Sequence, residues 1–108
     1  MYKLCFYVPE AQLDEVKEAL FQVGVGKIGN YDQCCWQSKG VGQFRALIGS
    51  DPFVGGINNL ETLEEYKVEM VCEGHLIKEA IRVLRQVHPY EEPAIDVLEM
   101  DRGLLAHL

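Results

Sequence analysis

The chain has 108 residues, 48% of them hydrophobic and 25% charged. That is a single domain spanning 1–108, too apolar for a disordered tail and long enough for one modest core. Seventeen acidic residues against ten basic ones give a formal net charge of −7, which repels phosphate backbones and argues against direct nucleic-acid binding.

No run approaches 18 consecutive apolar residues, so no membrane span is expected. The first eight residues lead into Pro9-Glu10 with no basic region and no small-residue cleavage site, unlike a signal peptide. A cytoplasmic location follows as the expectation, with Cys5, Cys34, Cys35 and Cys72 reduced. No CxxC pair is present, so neither a structural zinc site nor a dithiol motif is written here.

Residues 2–8 alternate Leu4, Phe6 and Val8 with Cys5 and Tyr7, which predicts a strand. Pro9-Glu10 then opens a helix whose stripe is Leu13, Val16, Leu20 and Val23, and Gly24 is its natural stop. Residues 31–38 and 43–48 read as two strands joined by Lys39-Gly40-Val41-Gly42, a hairpin signal. Asp51-Pro52-Phe53-Val54-Gly55-Gly56 is a long turn. The strongest strand signal runs over 60–73, with Tyr66, Val68, Met70 and Cys72 on one face and Lys67 and Glu69 on the other. A second helix is predicted over 75–87, stopped by His88-Pro89, and a last strand over 94–100. Residues 102–108 form a tail that this reading does not place.

The order predicts an α+β sandwich, ferredoxin-like βαββ(β)αβ, with an antiparallel sheet and two helices on one face. Such a sheet should be water-tolerant on its other face. Here Cys5, Tyr7, the cluster Cys34-Cys35-Trp36, and Leu98 with Met100 make that face partly apolar. Edge irregularity is one explanation; burial against copies of the same chain is the preferred one.

The string Gly24-Val25-Gly26-Lys27-Ile28-Gly29 matches G-x-G-x-x-G, but a helix precedes it and a strand follows. A dinucleotide site needs the reverse order, so no such cofactor is expected. The densest chemistry is His88-Pro89-Tyr90-Glu91-Glu92-Pro93. Its imidazole and two carboxylates fit a divalent cation, with His88, Glu91 and Glu92 as candidate metal ligands. His88, Tyr90, Glu91 and Glu92, together with Gly26, Gly29 and Tyr31, are the candidate ligand-binding residues. The competing account makes the turn a structural corner, with Tyr90 packed and the acids in water. No catalytic residue is assigned, because no nucleophile motif accompanies the histidine.

Gly26-Lys27-Ile28-Gly29-Asn30-Tyr31 with Cys34, then Gly40-Val41-Gly42-Gln43-Phe44, Gly49-Ser50-Asp51-Pro52-Phe53-Val54-Gly55 and His88-Pro89-Tyr90-Glu91-Glu92-Pro93-Ala94 together resemble one domain. It is the domain inserted in many bacterial members of the NGG-interacting-factor-three-like family, the GTP cyclohydrolase I type 2 homologues. The resemblance runs from Met1 to about Met100; Ala46 departs from it, where the family tends to carry proline. It implies a stand-alone copy of that inserted domain, similar in fold to PII and CutA proteins, which are commonly trimeric. The family's two-metal site belongs to flanking halves that this sequence does not contain, so cyclohydrolase activity is not expected to transfer.

Two functions compete. The first is a self-associating regulatory or ligand- and metal-sensing module, a homo-oligomer with a trimer favoured, that takes a small molecule or divalent metal ion. The alternative is a small enzyme or metal-dependent hydrolase using His88 with Glu91 or Glu92.

Overall fold

The computed structural model describes residues 1–106. Four strands, β1 (Tyr2–Val8), β2 (Trp36–Arg45), β3 (Leu60–Cys72) and β4 (Ile95–Glu99), and helices α1 (Glu10–Val23), α2 (Ile77–Val87) and α3 (Arg102–Ala106) follow in the order β1-α1-β2-β3-α2-β4-α3. The strands make one antiparallel sheet in the order β2-β3-β1-β4. With α1 and α2 packed together on one side, this is the ferredoxin-like sandwich the sequence predicts. No described helix is long and apolar enough to cross a membrane.

The local reasons follow the chain. Pro9 caps α1 with extended backbone, φ −61° and ψ 151°. Gly24 ends it at φ 108°, and the next amide, Val25 N–H, reaches back to the Leu20 carbonyl. Only a residue tolerant of left-handed backbone closes a helix this way, and the buried Val25 side chain supplies the accompanying apolar contact.

Leu4, Phe6 and Val8 point to the helices, beside Val68, Met70 and Cys72 of β3. Leu13, Val16 and Leu20 of α1 and Ile77, Ala80 and Leu84 of α2 close the core over them. Each large side chain buried here contributes about 1.5–3 kcal/mol.

The other sheet face alternates Lys3, Cys5 and Tyr7, with Glu69 and Lys67 of β3 alongside. Glu69 lies 3.0 Å from Lys3 Nζ and 3.8 Å from Lys67 Nζ. Its hydrogen bond to Lys3 holds its carboxyl below the usual carboxylate range. Cys5 is buried beside it, and burial pushes that thiol up. Trp36, paired with Glu69, and Leu98, paired with Lys3, remain exposed on this face. All four cysteines are free thiols.

Two expectations need correction. Lys39-Gly40-Val41-Gly42 is no hairpin turn. It lies mid-strand in one continuous β2, paired with residues 63–66 of β3. Cys34 and Cys35 precede β2 rather than sharing its face with Trp36. The real connection is the loop 46–59, pinned by the Ala46–Ile57 bridge and by Asn58 N–H donating to the Ala46 carbonyl at 2.7 Å.

β1 stops at Val8, opposite Tyr66, so residues 60–65 pair with β2 alone. They form a two-stranded arm roughly 20 Å long at the usual strand rise. The arm accounts for the elongated outline, 51 × 24 × 24 Å. Of the tail left unplaced by sequence, residues 102–106 form α3; His107 lies outside the described residues.

Candidate functional site

The arm leaves the body where β1 ends, and the turn after α2 folds onto that junction. Pro89 disfavours helical backbone at the residue before it. His88 accordingly caps α2 at φ −68° and ψ 137°. Its ring is buried. Nε2 lies 2.7 Å from the Tyr7 carbonyl, while Nδ1 accepts the Tyr90 N–H at 3.1 Å. This network assigns the neutral tautomer with the proton on Nε2. Burial lowers the His88 pKa, against the smaller opposing effects of the Tyr7 carbonyl and the Glu65 charge.

The His88 ring also packs against Tyr90, with centroids 4.7 Å apart. The Tyr90 hydroxyl donates to Glu65 Oε2 at 2.6 Å, tying the turn to the base of the arm. Burial first, and the Glu65 carboxylate second, keep that phenol protonated well above its ordinary range. Glycine at 42 makes the tie possible: a Cβ there would sit 1.8 Å from Glu65 Oε1. On the other side, Glu91 Oε2 accepts the Asp51 N–H at 2.7 Å, which draws the 46–59 loop toward the turn. Phe53 brings its ring to 6.2 Å from Tyr90.

These bonds enclose a cleft of about 490 Å³. Its aromatic walls include Tyr7, Phe53 and Tyr90; its carboxylates are Glu65, Glu91 and Glu92, and its one cationic side chain is Arg45. His88 is not part of the lining. It sits behind Tyr90 as the peg of the turn.

Of the residues singled out by sequence, Tyr90, Glu91 and Glu92 therefore meet at the cleft. His88 does not join the two glutamates as a ligand set, because each ring nitrogen already has a backbone partner. Among the described residues, no group of three or more His, Cys, Asp or Glu side chains is placed to hold a metal ion.

Gly26, Gly29 and Tyr31 lie at the opposite end of the sheet. Gly26 N–H donates to the Val71 carbonyl, and Val71 pairs with Lys3. That is four strand residues from Tyr7, about 13 Å. Gly26 has φ 83°, and a Cβ on it would meet the Cys34 carbonyl at 2.6 Å, so its conformation and close packing both require glycine. Ile28 and Tyr31 exchange backbone hydrogen bonds across Gly29, and Tyr31 is exposed.

Sequence reasoning missed Tyr7, Phe53 and Glu65. The signal for Phe53 was present, since Gly49 to Gly55 had stood out as a motif; nothing local connected it to residue 91.

No protein-family model matches the chain. It is 45% identical over 98 residues to a GTP cyclohydrolase 1 type 2 homolog of Halalkalibacterium halodurans, covering 90% of this chain and 26% of that protein. A crystal structure of a Bacillus cereus protein related to NIF3 superposes with a TM-score of 0.80 at 35% identity, over 93% of this chain and 25% of that one. The PII-like protein CutA from Nostoc matches at TM-score 0.70 and 14% identity, covering 96% of this chain and 85% of that one, a likeness of fold alone. The chain spans about a quarter of the length of the curated relatives it matches. It is a homologue of that one domain-sized stretch of the GTP cyclohydrolase 1 type 2 homolog, or NIF3-like, proteins, carried on a CutA-like ferredoxin fold.

Proposed function

We propose that this chain is a non-catalytic regulatory or ligand-sensing module that works as a homo-oligomer, a trimer, with its ligand in the cleft under the 88–93 turn. One observation carries the reading. Three distant segments, the start of the arm, the 46–59 loop and the turn after α2, are held by specific side-chain bonds around a cleft. Polar groups converging on an apolar hollow are the usual form of a small-molecule site.

Catalysis by His88 finds no support in this geometry, since its nitrogens are engaged and it is not among the residues that line the cleft. In this reading His88 is a positioning residue, and Tyr90, Glu91 and Glu92 touch the ligand. A divalent ion bound by Glu91 and Glu92 would have to draw its remaining ligands from water or from the small molecule. Gly26, Gly29 and Tyr31 join the site only if a neighbouring protomer brings that end of its sheet to the cleft. Self-association is supported by the exposed Trp36 and Leu98 on the open face and by exposed Val41 and Leu60 on the arm.

Native mass spectrometry of the purified chain tests both halves of the proposal. A trimer retaining a small-molecule or metal mass supports it. A 12.2 kDa monomer at micromolar concentration overturns the oligomer. Metal-dependent turnover of GTP, abolished by chelation, overturns the non-catalytic reading.

A further inference from the structure

We propose that the cleft selects an organic cation: a protonated amine or guanidinium group carried on a flat or apolar body. The inference rests on the reading of this cleft as the ligand site and adds the ligand's chemistry. Glu65, Glu91 and Glu92 supply three carboxylates against one guanidinium, Arg45. Two of these carboxylates are already fixed in place, Glu65 by the Tyr90 hydroxyl and Glu91 by the Asp51 amide. Each uses one oxygen in that contact and leaves the other free to accept from a ligand.

Glu92 has no hydrogen-bond or ion-pair partner among the described residues. The aromatic walls complete the match. Phe53 is half exposed at 53%, and its ring meets Tyr90 at 48°. Aromatic side chains in a cleft wall suit a cation or an aromatic body. Tyr90 stays a neutral phenol because burial and Glu65 both oppose its ionisation. An anion would meet the carboxylates with no compensating cluster of cations. A bare inorganic cation would leave the aromatic walls unused.

Gly42 sets the selectivity. Its missing side chain is the space that the Glu65 carboxylate occupies. Nothing about its backbone requires glycine, since its φ is outside the left-handed region. Alanine at 42 therefore displaces Glu65 and leaves the strand intact.

The test uses the full chain labelled for NMR and three probes of like shape: phenethylammonium, 2-phenylethanol and 3-phenylpropionate. The amine is expected to shift the amides of Ser50, Asp51, Phe53 and Val54 and those of residues 90–92. The alcohol should bind there about tenfold more weakly, as a lost charge-assisted hydrogen bond predicts, and the carboxylate should not bind. Glu91→Gln/Glu92→Gln and Gly42→Ala should each weaken the amine about tenfold, with spectral changes in the free variants confined to the cleft and the amides of β1 and the helices unmoved. Preferential binding of the alcohol or the carboxylate at the same amides overturns the organic-cation assignment and leaves the cleft as the ligand site. Tighter binding of Mg²⁺ alone at those amides has the same consequence. Shifts confined to other parts of the molecule, for every probe, overturn both the assignment and the site.

Discussion

The body and the arm of this molecule are built on opposite principles. In the body, β1 is buried on its helix side, and α1 and α2 close over it, so Leu4, Phe6, Val8, Val16, Leu20 and Leu84 lose essentially all contact with water. In the arm, residues 40–45 of β2 and 60–65 of β3 pair only with each other, and Val41 (75% exposed) and Leu60 (64%) have no layer above them. A two-stranded ribbon is marginal by itself, because it orders backbone without burying a face. The buried core lies in the body. The arm needs something to lie on, and among the described residues the His88 turn and the 46–59 loop meet it at its base. The cleft occupies that boundary, where a rigid scaffold meets a segment stabilised by a few polar bonds.

The largest effect belongs to the body. Phe6→Ala removes a fully buried ring from the centre of the core and should cost about 3–5 kcal/mol in urea denaturation. A loss below about 1 kcal/mol would mean the core is less tightly closed than the burial of Leu4, Phe6 and Val8 implies.

His88→Ala comes next, because it cuts the peg between body and turn. Leaving the part-buried Tyr7 carbonyl and Tyr90 amide without their partner should cost about 1–3 kcal/mol. The same residue writes a pH dependence. Its folded pKa lies below the unfolded value of 6.5, so the unfolded chain takes up the proton first. The stability from neutral His88 is therefore fully present above about pH 6.5 and is lost as pH falls toward the lowered folded value. Denaturation midpoints measured from pH 7.5 down to 5 should fall in the wild type, and that fall should be shallower in His88→Ala. Equal slopes would show that another group sets the acid limb.

The same division explains what could be read from sequence. Body elements were legible because each buries one face. Leu4, Phe6 and Val8 alternate, Leu13, Val16 and Leu20 recur at helical steps, and Pro9, Gly24 and Pro89 punctuate the ends. β2 was not, because it is exposed almost throughout and carries no buried-face rhythm. Gly40 and Gly42, read as a turn, sit in an extended strand, where Gly42 makes room for Glu65 rather than for a bend. The candidate site divided likewise. Tyr90, Glu91 and Glu92 were visible as a dense local string. Their partners Glu65 and Asp51 lie 25 and 40 residues away, and only the arm's departure from the sheet brings them near. His88 was singled out for its chemistry, whereas burial makes it a support.

Tyr90→Phe probes the boundary more gently. It keeps the ring against His88 and Phe53 and deletes one hydrogen bond to a partly buried carboxylate. A stability loss of about 1 kcal/mol is expected, together with higher amide exchange in the 46–59 loop and residues 60–65 than in β1. Uniform acceleration across the sheet would show that body and arm open as one unit.

The smallest effect on the protomer should come from the arm itself, and that makes it the sharpest test of the contrast. Val41 points to the helix side of the sheet where no helix reaches, directly opposite Glu64. Val41→Lys places a second cation beside that carboxylate, which Lys39 already pairs at 3.3 Å, so the exposed charges nearly offset, and it removes no buried contact. At dilute concentration, where assembly contributes nothing, the midpoint should move by no more than about 0.5 kcal/mol. At high concentration the outcome should differ. If the arm's layer is a neighbouring protomer, a lysine there must be desolvated in the interface, and the wild type's concentration-dependent gain in stability should disappear from the variant. Sedimentation of both proteins over a hundredfold concentration range measures this directly. Identical association would mean that the arm's exposed apolar side chains are not what hold copies together, and would move the interface to the Trp36 and Leu98 face of the sheet.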